Sequence, residues 1–414
     1  MTTFRRAKES DLERLVEIHL AAYPDPCSID VRMRNFTHHP FGGLERLVVV
    51  EDDAGRPVGH AFLFPLEASF GGAKVKVGGI ASVAVAPEAR GRGIATALMR
   101  RLHALSDRRG DAVTMLHPSR QGFYARLGYA TTSSRKRLAI ATRSVPEPWR
   151  ALARARVRAA TGGDERALYR LHARAAERAT GWIARPKRCW ELFIARERRI
   201  LLVCEGPRAR PAGGASATGY VAFTLAQEQL RAETRLEVDE LVADDDEARR
   251  ALVGALAAMR DQATEIVLEV AEADPLERAL VDPDGRRFGT SGVEHALGEI
   301  VGGPMVRIED PSRALAARGY AGSGAFDVVV REPGGDDGVA LGLCVRGGRA
   351  EVGPARGRRR GALQTTRAGL AAIFYGALSV TDAVALGMAE APPEVAARLD
   401  AVVKMPPLAP VDAF

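Results

Sequence analysis

Val83-Ala84-Val85-Ala86-Pro87-Glu88-Ala89-Arg90-Gly91-Arg92-Gly93-Ile94-Ala95 is the stretch from which the rest of this chain can be read. Val83 to Val85 favour a strand, Pro87 to Gly93 form a Gly-containing loop, and the residues from Ile94 to about Ser106 follow helical spacing. A helix entered in this way leaves its first N–H groups unsatisfied and turns its positive dipole end outward, which favours an anion. Gly91 and Gly93 let the backbone approach that anion without an intervening Cβ, and Arg90 and Arg92 add charge around it. The expected ligand is a nucleotide-like pyrophosphate.

Upstream, Phe4 to Ala7 reads as a strand, and Ser10 is placed to cap a helix with apolar positions Leu12, Leu15, Val16 and Ile18. Glu45 to Asp52, Pro57 to Ala68 and Lys74 to Val85 are β-rich and separated by Gly-containing turns, which predicts an antiparallel meander. Downstream, Thr114 to Leu116 is the next strand, Gly122 to Leu127 a short helix, and Gly128-Tyr129-Ala130 the turn into a last strand. A chain of 414 residues exceeds one ordinary core. We expect three domains, over residues 1–148, 149–293 and 294–414.

The second of these repeats features of the first. Arg158-Ala159 and Asp164 echo Arg6-Ala7 and Asp11, while His172 follows Asp164 as His19 follows Asp11. Leu241-Val242-Ala243 leading into a helix from Ala248 to Met259 resembles Val83 to Ala86 leading into Ile94. Where the first copy has Arg90 to Gly93, the second has Asp244-Asp245-Asp246-Glu247, which would repel a phosphate. The second copy is expected to be catalytically silent. From about His295, strands around Met305 to Ile308, Phe326 to Val330 and Gly338 to Val345 precede helices around Arg367 to Tyr375 and Thr381 to Leu386, predicting an α+β third domain.

Arg90-Gly91-Arg92-Gly93-Ile94-Ala95 resembles the acetyl-CoA loop of the GNAT acetyltransferase superfamily, Gln/Arg-x-x-Gly-x-Gly/Ala. That resemblance implies that the backbone of Val83, Ala84 and Val85 pairs with the pantetheine arm. The amides of Arg90, Gly91, Arg92, Gly93, Ile94, Ala95 and Thr96 would hold the pyrophosphate, with Ser119 assigned to the same cofactor site. Acyl transfer from a thioester needs a neutral amine and a proton for the departing thiolate. Tyr124, just after the strand expected to flank the thioester, is the candidate acid, because a phenol of pKa about 10 stays protonated where a thiol of about 8.5 ionises. Tyr129, following a glycine at a strand start, is assigned to the core.

Over nearly its whole length the chain resembles the Eis (enhanced intracellular survival) family, on the strength of Val306-Arg307-Ile308-Glu309-Asp310-Pro311-Ser312-Arg313-Ala314-Leu315-Ala316-Ala317-Arg318 and the ending Leu408-Ala409-Pro410-Val411-Asp412-Ala413-Phe414. The fold implied is α/β (α+β): tandem GNAT folds, the second degenerate, then a sterol-carrier-protein-like α+β domain. The resemblance further implies that Tyr124 is the general acid and that the carboxylate of Phe414 is the base. It implies as acceptors the amines of aminoglycosides, lysine side chains and polyamines, and a hexameric assembly. Asp25 is the candidate to meet a cationic acceptor, with Tyr23 as an apolar or cation–π wall and Asp30 as a weaker second; Pro24-Asp25-Pro26 is also ordinary turn chemistry. Ala413 stands where better-known members carry an acidic residue.

A net charge of +7 permits an anionic partner, but the arginines lie beside Glu and Asp on predicted helices, and the dense run Arg358 to Arg360 sits in a Gly-rich loop, so no nucleic acid is expected. Cys27, Cys189, Cys204 and Cys344 show neither CxxC pairing nor metal-ligand spacing, so neither disulfides nor a metal is expected. No stretch approaches a membrane span or a leader, which predicts a cytoplasmic protein. The alternative function is a non-catalytic acyl-CoA-binding or lipid-binding regulator built on the same scaffolds.

Overall fold

The computed structural model describes residues 3–23, 28–207, 217–227, 233–281, 298–331, 338–355, 361–376 and 378–407. The chain opens with β1 (Thr3–Arg6), α1 (Leu12–Ala22), α2 (Ile29–Thr37), β2 (Leu47–Glu51), β3 (Pro57–Phe70), β4 (Ala73–Val85), α3 (Ile94–Arg109), β5 (Val113–Leu116), α4 (Gln121–Ala125) and β6 (Ala130–Thr131). β2 to β4 form the expected antiparallel meander, β1 joins it antiparallel to β2, and β5 joins β4 in parallel. Leu47 to Val50 and Val58 to Phe64 are buried on both faces, so the middle of the sheet reads as continuous apolar runs. α1 packs Leu15, Val16, Ile18 and His19 inward, while α3 does the same with Leu98, Met99, Leu102 and His103. Ser10 does not cap α1. The backbone N–H of Lys8 donates instead to Asp11 Oδ2 at 2.7 Å, closing a short 3-10 turn of Glu9–Asp11 ahead of the helix.

The second unit follows as β7 (Ser134–Ala141), α5 (Glu147–Arg156), β8 (Val157–Ala159), α6 (Glu165–Arg178), α7 (Lys187–Ala195), β9 (Ile200–Glu205), β10 (Ala217–Ala226), β11 (Arg235–Ala243), α8 (Asp246–Ala257) and β12 (Glu265–Ala271). The last third contains β13 (Glu299–Gly302), β14 (Met305–Ile308), α9 (Pro311–Ala317), β15 (Gly324–Arg331), β16 (Gly338–Arg346), β17 (Arg349–Pro354), β18 (Leu363–Thr366), α10 (Arg367–Phe374), α11 (Val380–Ala385), β19 (Ala389–Glu390) and α12 (Pro393–Val403). Three sheets result, with strand orders β1-β2-β3-β4-β5-β14-β6, β13-β7-β12-β11-β10-β9-β8 and β17-β16-β15-β18-β19.

Strands cross between these units. β7 pairs with β12 from Arg135 to Ala141, so it lies in the second sheet although it precedes residue 148. β14, expected among the strands of the third domain, lies between β5 and β6 in the first sheet. The reason is apolar: Met305, Val306 and Ile308 are buried there, and Val306 and Ile308 share one core with Val113, Met115, Leu370 and Tyr375. That core is continuous from the first sheet into the last, where the Phe70 and Tyr375 rings meet at 4.7 Å. Arg318, 1% exposed, donates to the carbonyls of Gly319, Phe374 and Val403 at 2.7, 2.8 and 2.8 Å. Phe374 and Val403 end α10 and α12, so the negative ends of two helices stabilise this buried cation.

The duplication is present in the charges as well as the strands. Arg5 forks onto Asp11 at 2.6 and 2.8 Å and reaches Glu51 at 2.7 Å. Arg158 forks onto Asp164 at 2.8 and 2.9 Å and reaches Glu205 at 2.6 Å. The counterpart of Arg158 is therefore Arg5, one residue earlier than the echo with Arg6 suggested. Its partner Asp164 is held at about 2 from an ordinary 3.8, first by Arg158. Because the folded value is depressed, the stabilisation is complete above 3.8 and disappears as pH falls through about 2. We predict that Asp164→Asn loses about 2 kcal/mol of stability at pH 7. In urea titrations the gap between variant and parent should close as pH falls towards 2; equal midpoints at pH 7 would refute this.

Candidate functional site

The site starts from a defect in β4. His60 faces Ala84 and Phe62 faces Ala81, so Ser82 and Val83 together oppose the single residue Ala61. This is a bulge, and Ser82 takes a φ of 52° that a β-carbon disfavours. β4 and β5 pair only over Val77 to Gly79 and Val113 to Met115. Beyond that point the strands separate, and the β5-facing edge of Ile80 to Val85 is free to receive another extended group. The second copy repeats the separation, with β11 and β12 paired only over Arg235 to Glu237 and Glu265 to Val267.

At the end of β4 the loop climbs into α3. Arg90 to Gly93 are exposed, Ile94 is buried, and Ala95 and Thr96 are partly covered. Gly91 and Gly93 both have φ of 77°, and a Cβ at either would meet nothing within 4 Å. Their left-handed backbone and the open space beside them leave the α3 entrance clear, and Gly93, its cap, supplies no side chain to close it. In the second copy, by contrast, Asp245 Oδ1 accepts the N–H of Ala248 at 2.7 Å, and Arg174 holds Asp244 at 3.0 Å. That entrance carries its own carboxylates.

Two carbonyls of the open edge already have donors. Tyr23 Oη donates to the carbonyl of Val83 at 2.9 Å, and Arg90 Nε to that of Val85 at 3.3 Å, with a second Arg90 nitrogen on the Ala21 carbonyl at 3.1 Å. Arg90 thus braces the end of α1 against β4, whereas Arg92 projects from the loop. A carbonyl oxygen has two lone pairs, so each can still accept another bond.

Tyr124 projects from α4 into the same region and is buried. Burial pushes its hydroxyl well above the usual phenol range, the neighbouring Tyr23 adds to this, and a hydrogen bond with Ser119 opposes it. The structure therefore brings Tyr23, Val83, Ser119 and Tyr124 together. Tyr129 stays in the core as expected: fully buried, its hydroxyl meets His103 Nε2 and Thr114 Oγ1, each at 2.9 Å. Thr114 in turn donates to Glu309 Oε1 at 2.6 Å, and Arg307 holds the other carboxylate oxygen at 2.5 Å. The rings of Tyr124 and Tyr129 lie 5.9 Å apart.

Beside Ser82 opens a cavity of about 310 Å³ that includes Arg32, Phe36, His39, Phe62 and Phe64 in its lining. None of these five was singled out from sequence. The alternation of Phe62, Phe64 and Leu66 along a strand was the available signal, but His39 reaches the cavity from the loop after α2 and carried none. Asp30 is exposed in the first turn of α2 and does not line the cavity. Asp25 and Phe414 lie outside the described residues. Among the described residues, no grouping of three or more His, Cys, Asp or Glu is arranged to hold a metal, and no helix is long and apolar enough to cross a membrane.

Comparison with known proteins agrees with this geometry. Residues 3–132 match one acetyltransferase (GNAT) domain family, and residues 181–308 match a second family of the same description. N-acetyltransferase Eis of Mycobacterium tuberculosis is 28% identical over 323 residues, 74% of this chain and 74% of that one. Among solved structures, the fold is like that of a GCN5-related N-acetyltransferase from Kribbella flavida, with TM-score 0.79 and 24% identity over 100% of this chain and 98% of the other. It is also like that of Eis1 from Mycobacterium abscessus, with TM-score 0.73 and 23% identity over 99% of both chains.

An open helix entrance makes a direct prediction. Gly93→Ala places a Cβ at a left-handed residue where only a ligand would meet it, and should weaken acetyl-CoA binding about tenfold, or about 1.4 kcal/mol. Calorimetric titration checks this, and unchanged affinity would mean the pyrophosphate sits elsewhere.

Proposed function

We propose that this chain, which contains two GNAT acetyltransferase domains and is similar to N-acetyltransferase Eis, moves the acetyl group of acetyl-CoA directly to a primary amine, with Tyr124 as general acid and the terminal carboxylate of Phe414 as base. The observation that carries this reading is the uncapped α3 entrance of Gly91 and Gly93 beside the splayed edge of β4 and the protonated Tyr124. The entrance amides fit a pyrophosphate, and the free edge of Val83 to Val85 fits an extended amide-bearing arm. Acetyl-CoA supplies the activated acetyl group. In the transfer an amine nitrogen bonds to the carbonyl carbon as the carbon–sulfur bond breaks, one amine proton leaves, and one proton reaches the departing sulfur. Tyr124, kept protonated by burial, is the donor for that sulfur, with Ser119 orienting its hydroxyl. Through its carboxylate, Phe414 would orient the amine and take its proton. A carboxylate of pKa near 3.5 is weak for the second task unless desolvated, so orientation is its larger part.

By the same resemblance, acceptors extend to aminoglycosides, lysine side chains and polyamines, and the assembly is a hexamer. We take the domains as 1–148, 149–293 and 294–414, trading strands at their borders. The second is silent, a reading supported by the carboxylates at its helix entrance. The third is sterol-carrier-like, supported by its five-stranded sheet with helices α10 to α12.

Acceptor-dependent release of CoA thiol, with a mass gain of one acetyl group on the acceptor, tests this function; thiol release without acceptor gain would point to hydrolysis. Tyr124→Phe should lower kcat about a hundredfold with acetyl-CoA affinity unchanged. A raised Tyr124 value also predicts that the kcat profile has no falling alkaline limb below about pH 10, since the acid keeps its proton while more of the amine becomes neutral. A fall between pH 8 and 9 in the parent, absent in Tyr124→Phe, would assign Tyr124 an ordinary or lowered value instead.

A further inference from the structure

We infer that the seam between the two copies holds a second ligand site, one for a free amino acid with an aromatic side chain, and that this site serves binding rather than acetyl transfer. A cavity of about 610 Å³ opens there. One side of it is the end of the β3–β4 hairpin, from Glu67 to Lys74, and the other is α6 with the chain that leads into α7. The cavity is remote from the cleft proposed for acetyl-CoA. Ser69 faces Lys74 across the hairpin, and Lys74 precedes Ser82 by eight residues of β4, which is roughly 25 Å of strand.

Its frame is fixed by backbone bonds between the copies. The N–H of Ser69 donates to the carbonyl of Trp182 at 2.9 Å, that of Gly181 to the carbonyl of Ser69 at 2.8 Å, and that of Ala184 to the carbonyl of Glu67 at 2.8 Å. Ala68 bridges Ile183, so Gly181 to Ala184 lie along β3 as a short added strand that holds Trp182 in place. Rings then lock against one another: His172 meets Trp182 at 4.5 Å and Trp190 at 5.0 Å, and Tyr169 meets Trp190 at 4.7 Å. His172 and Trp190 are buried, whereas Tyr169 and Trp182 keep part of their surface open. Beside these open rings α6 presents Ala173 and Ala176, on the same face as Tyr169, and the added strand presents Ala184. Aromatic walls with only methyl groups between them form a slot for one more flat ring. The volume falls within the range of ligand sites, roughly 300 to 1,000 Å³, and is wide enough for an indole.

The rim carries both signs of charge. On the hairpin side Glu67 and Lys74 form an ion pair at 3.5 Å, largely exposed, and on the helical side stand Glu177 of α6 and Lys187 of α7, both exposed. An exposed pair at such a distance is worth little, so its members can turn to the charges of a ligand at small cost. Arg185 has its place already: its guanidinium lies over the Trp190 ring at 5.0 Å and donates to Glu240 at 3.2 Å. A purely cationic ligand would use the glutamates and meet like charge at the lysines, and a neutral ring would use neither. An α-amino acid brings an ammonium and a carboxylate a short, fixed distance apart, with its side chain on the carbon between them. With the ring in the slot, both charges reach the rim.

The test is calorimetric titration of the full-length protein with L-tryptophan, tryptamine, indole and L-lysine. L-Tryptophan should bind with a Kd of about 100 µM or below, tryptamine and indole about tenfold more weakly or worse, and L-lysine not at all at about 10 mM. Ala176→Trp, which fills the slot from α6, should abolish tryptophan binding while acetyl-CoA still binds. Lys187→Glu should weaken tryptophan about tenfold and leave tryptamine, which has no carboxylate, no weaker than before. The inference is overturned if tryptophan does not bind, if tryptamine or indole binds as tightly, or if binding survives Ala176→Trp. Should Ala176→Trp lose acetyl-CoA binding as well, and with it the fold, Lys187→Glu decides the matter, since undiminished tryptophan binding there also overturns the site. Acetylated tryptophan formed on adding acetyl-CoA would place the amino acid at the transfer site instead. None of these outcomes bears on whether the first copy transfers acetyl groups to other amines.

Discussion

The buried carboxyl of Glu309 is the contact on which the catalytic half depends. Burial pushes it up and Arg307 pulls it down, and it receives the hydroxyl proton of Thr114 in β5. Thr114 in turn meets Tyr129, whose ring lies beside that of Tyr124. Just before Glu309, β14 fills the gap between β5 and β6. Just after it, Asp310 caps α9 and Arg313 reaches the carbonyl of Asp111, at the entrance to β5. With His103, which meets the Tyr129 hydroxyl, five polar groups from distant parts of the chain thus meet in one network, and a half-satisfied version would be worse than an apolar one. The position of Tyr124, the acid we propose, is therefore set in part by residues nearly two hundred positions further along.

The two copies share a scaffold and differ at one end of it. Both retain an arginine forked onto an aspartate that closes the turn before the first long helix, both tie that arginine to a glutamate on the neighbouring strand, and both keep parallel strands that separate after three pairs. What distinguishes them is the helix entrance, glycines with free space in one and self-capping carboxylates in the other. The residues that hold the scaffold are thus distinct from those that shape the helix entrance, so the entrance can differ while the fold is kept.

Much of this was legible because it is local. The strand, loop and helix from Val83 to Ala95 depend on neighbours within a dozen residues, and the meander on alternation and turns. The core position of Tyr129 was legible from its place after Gly128, whereas the part proposed for Tyr124 came from resemblance alone. The destination of β14 was not, since an apolar four-residue strand does not state which sheet it enters; Met305 to Ile308 fits any gap with two open edges. The Ser82 bulge was hidden because serine has no sequence signature for a positive φ, unlike glycine. The cavity at His39 joins a loop to a strand more than twenty residues away, and no periodicity links them.

Strand exchange also has a consequence for how such a chain is made. A ribosome releases the N-terminus first, and domains generally fold as units in that order. Here the first sheet lacks a strand until Ile308 has emerged, after the whole of the second copy. Until then β5 has an unpaired edge whose N–H and C=O groups invite pairing with other chains. The second copy is thus free to settle before the first is finished, and a fragment ending near residue 148 would carry the chemistry on an open, aggregation-prone sheet.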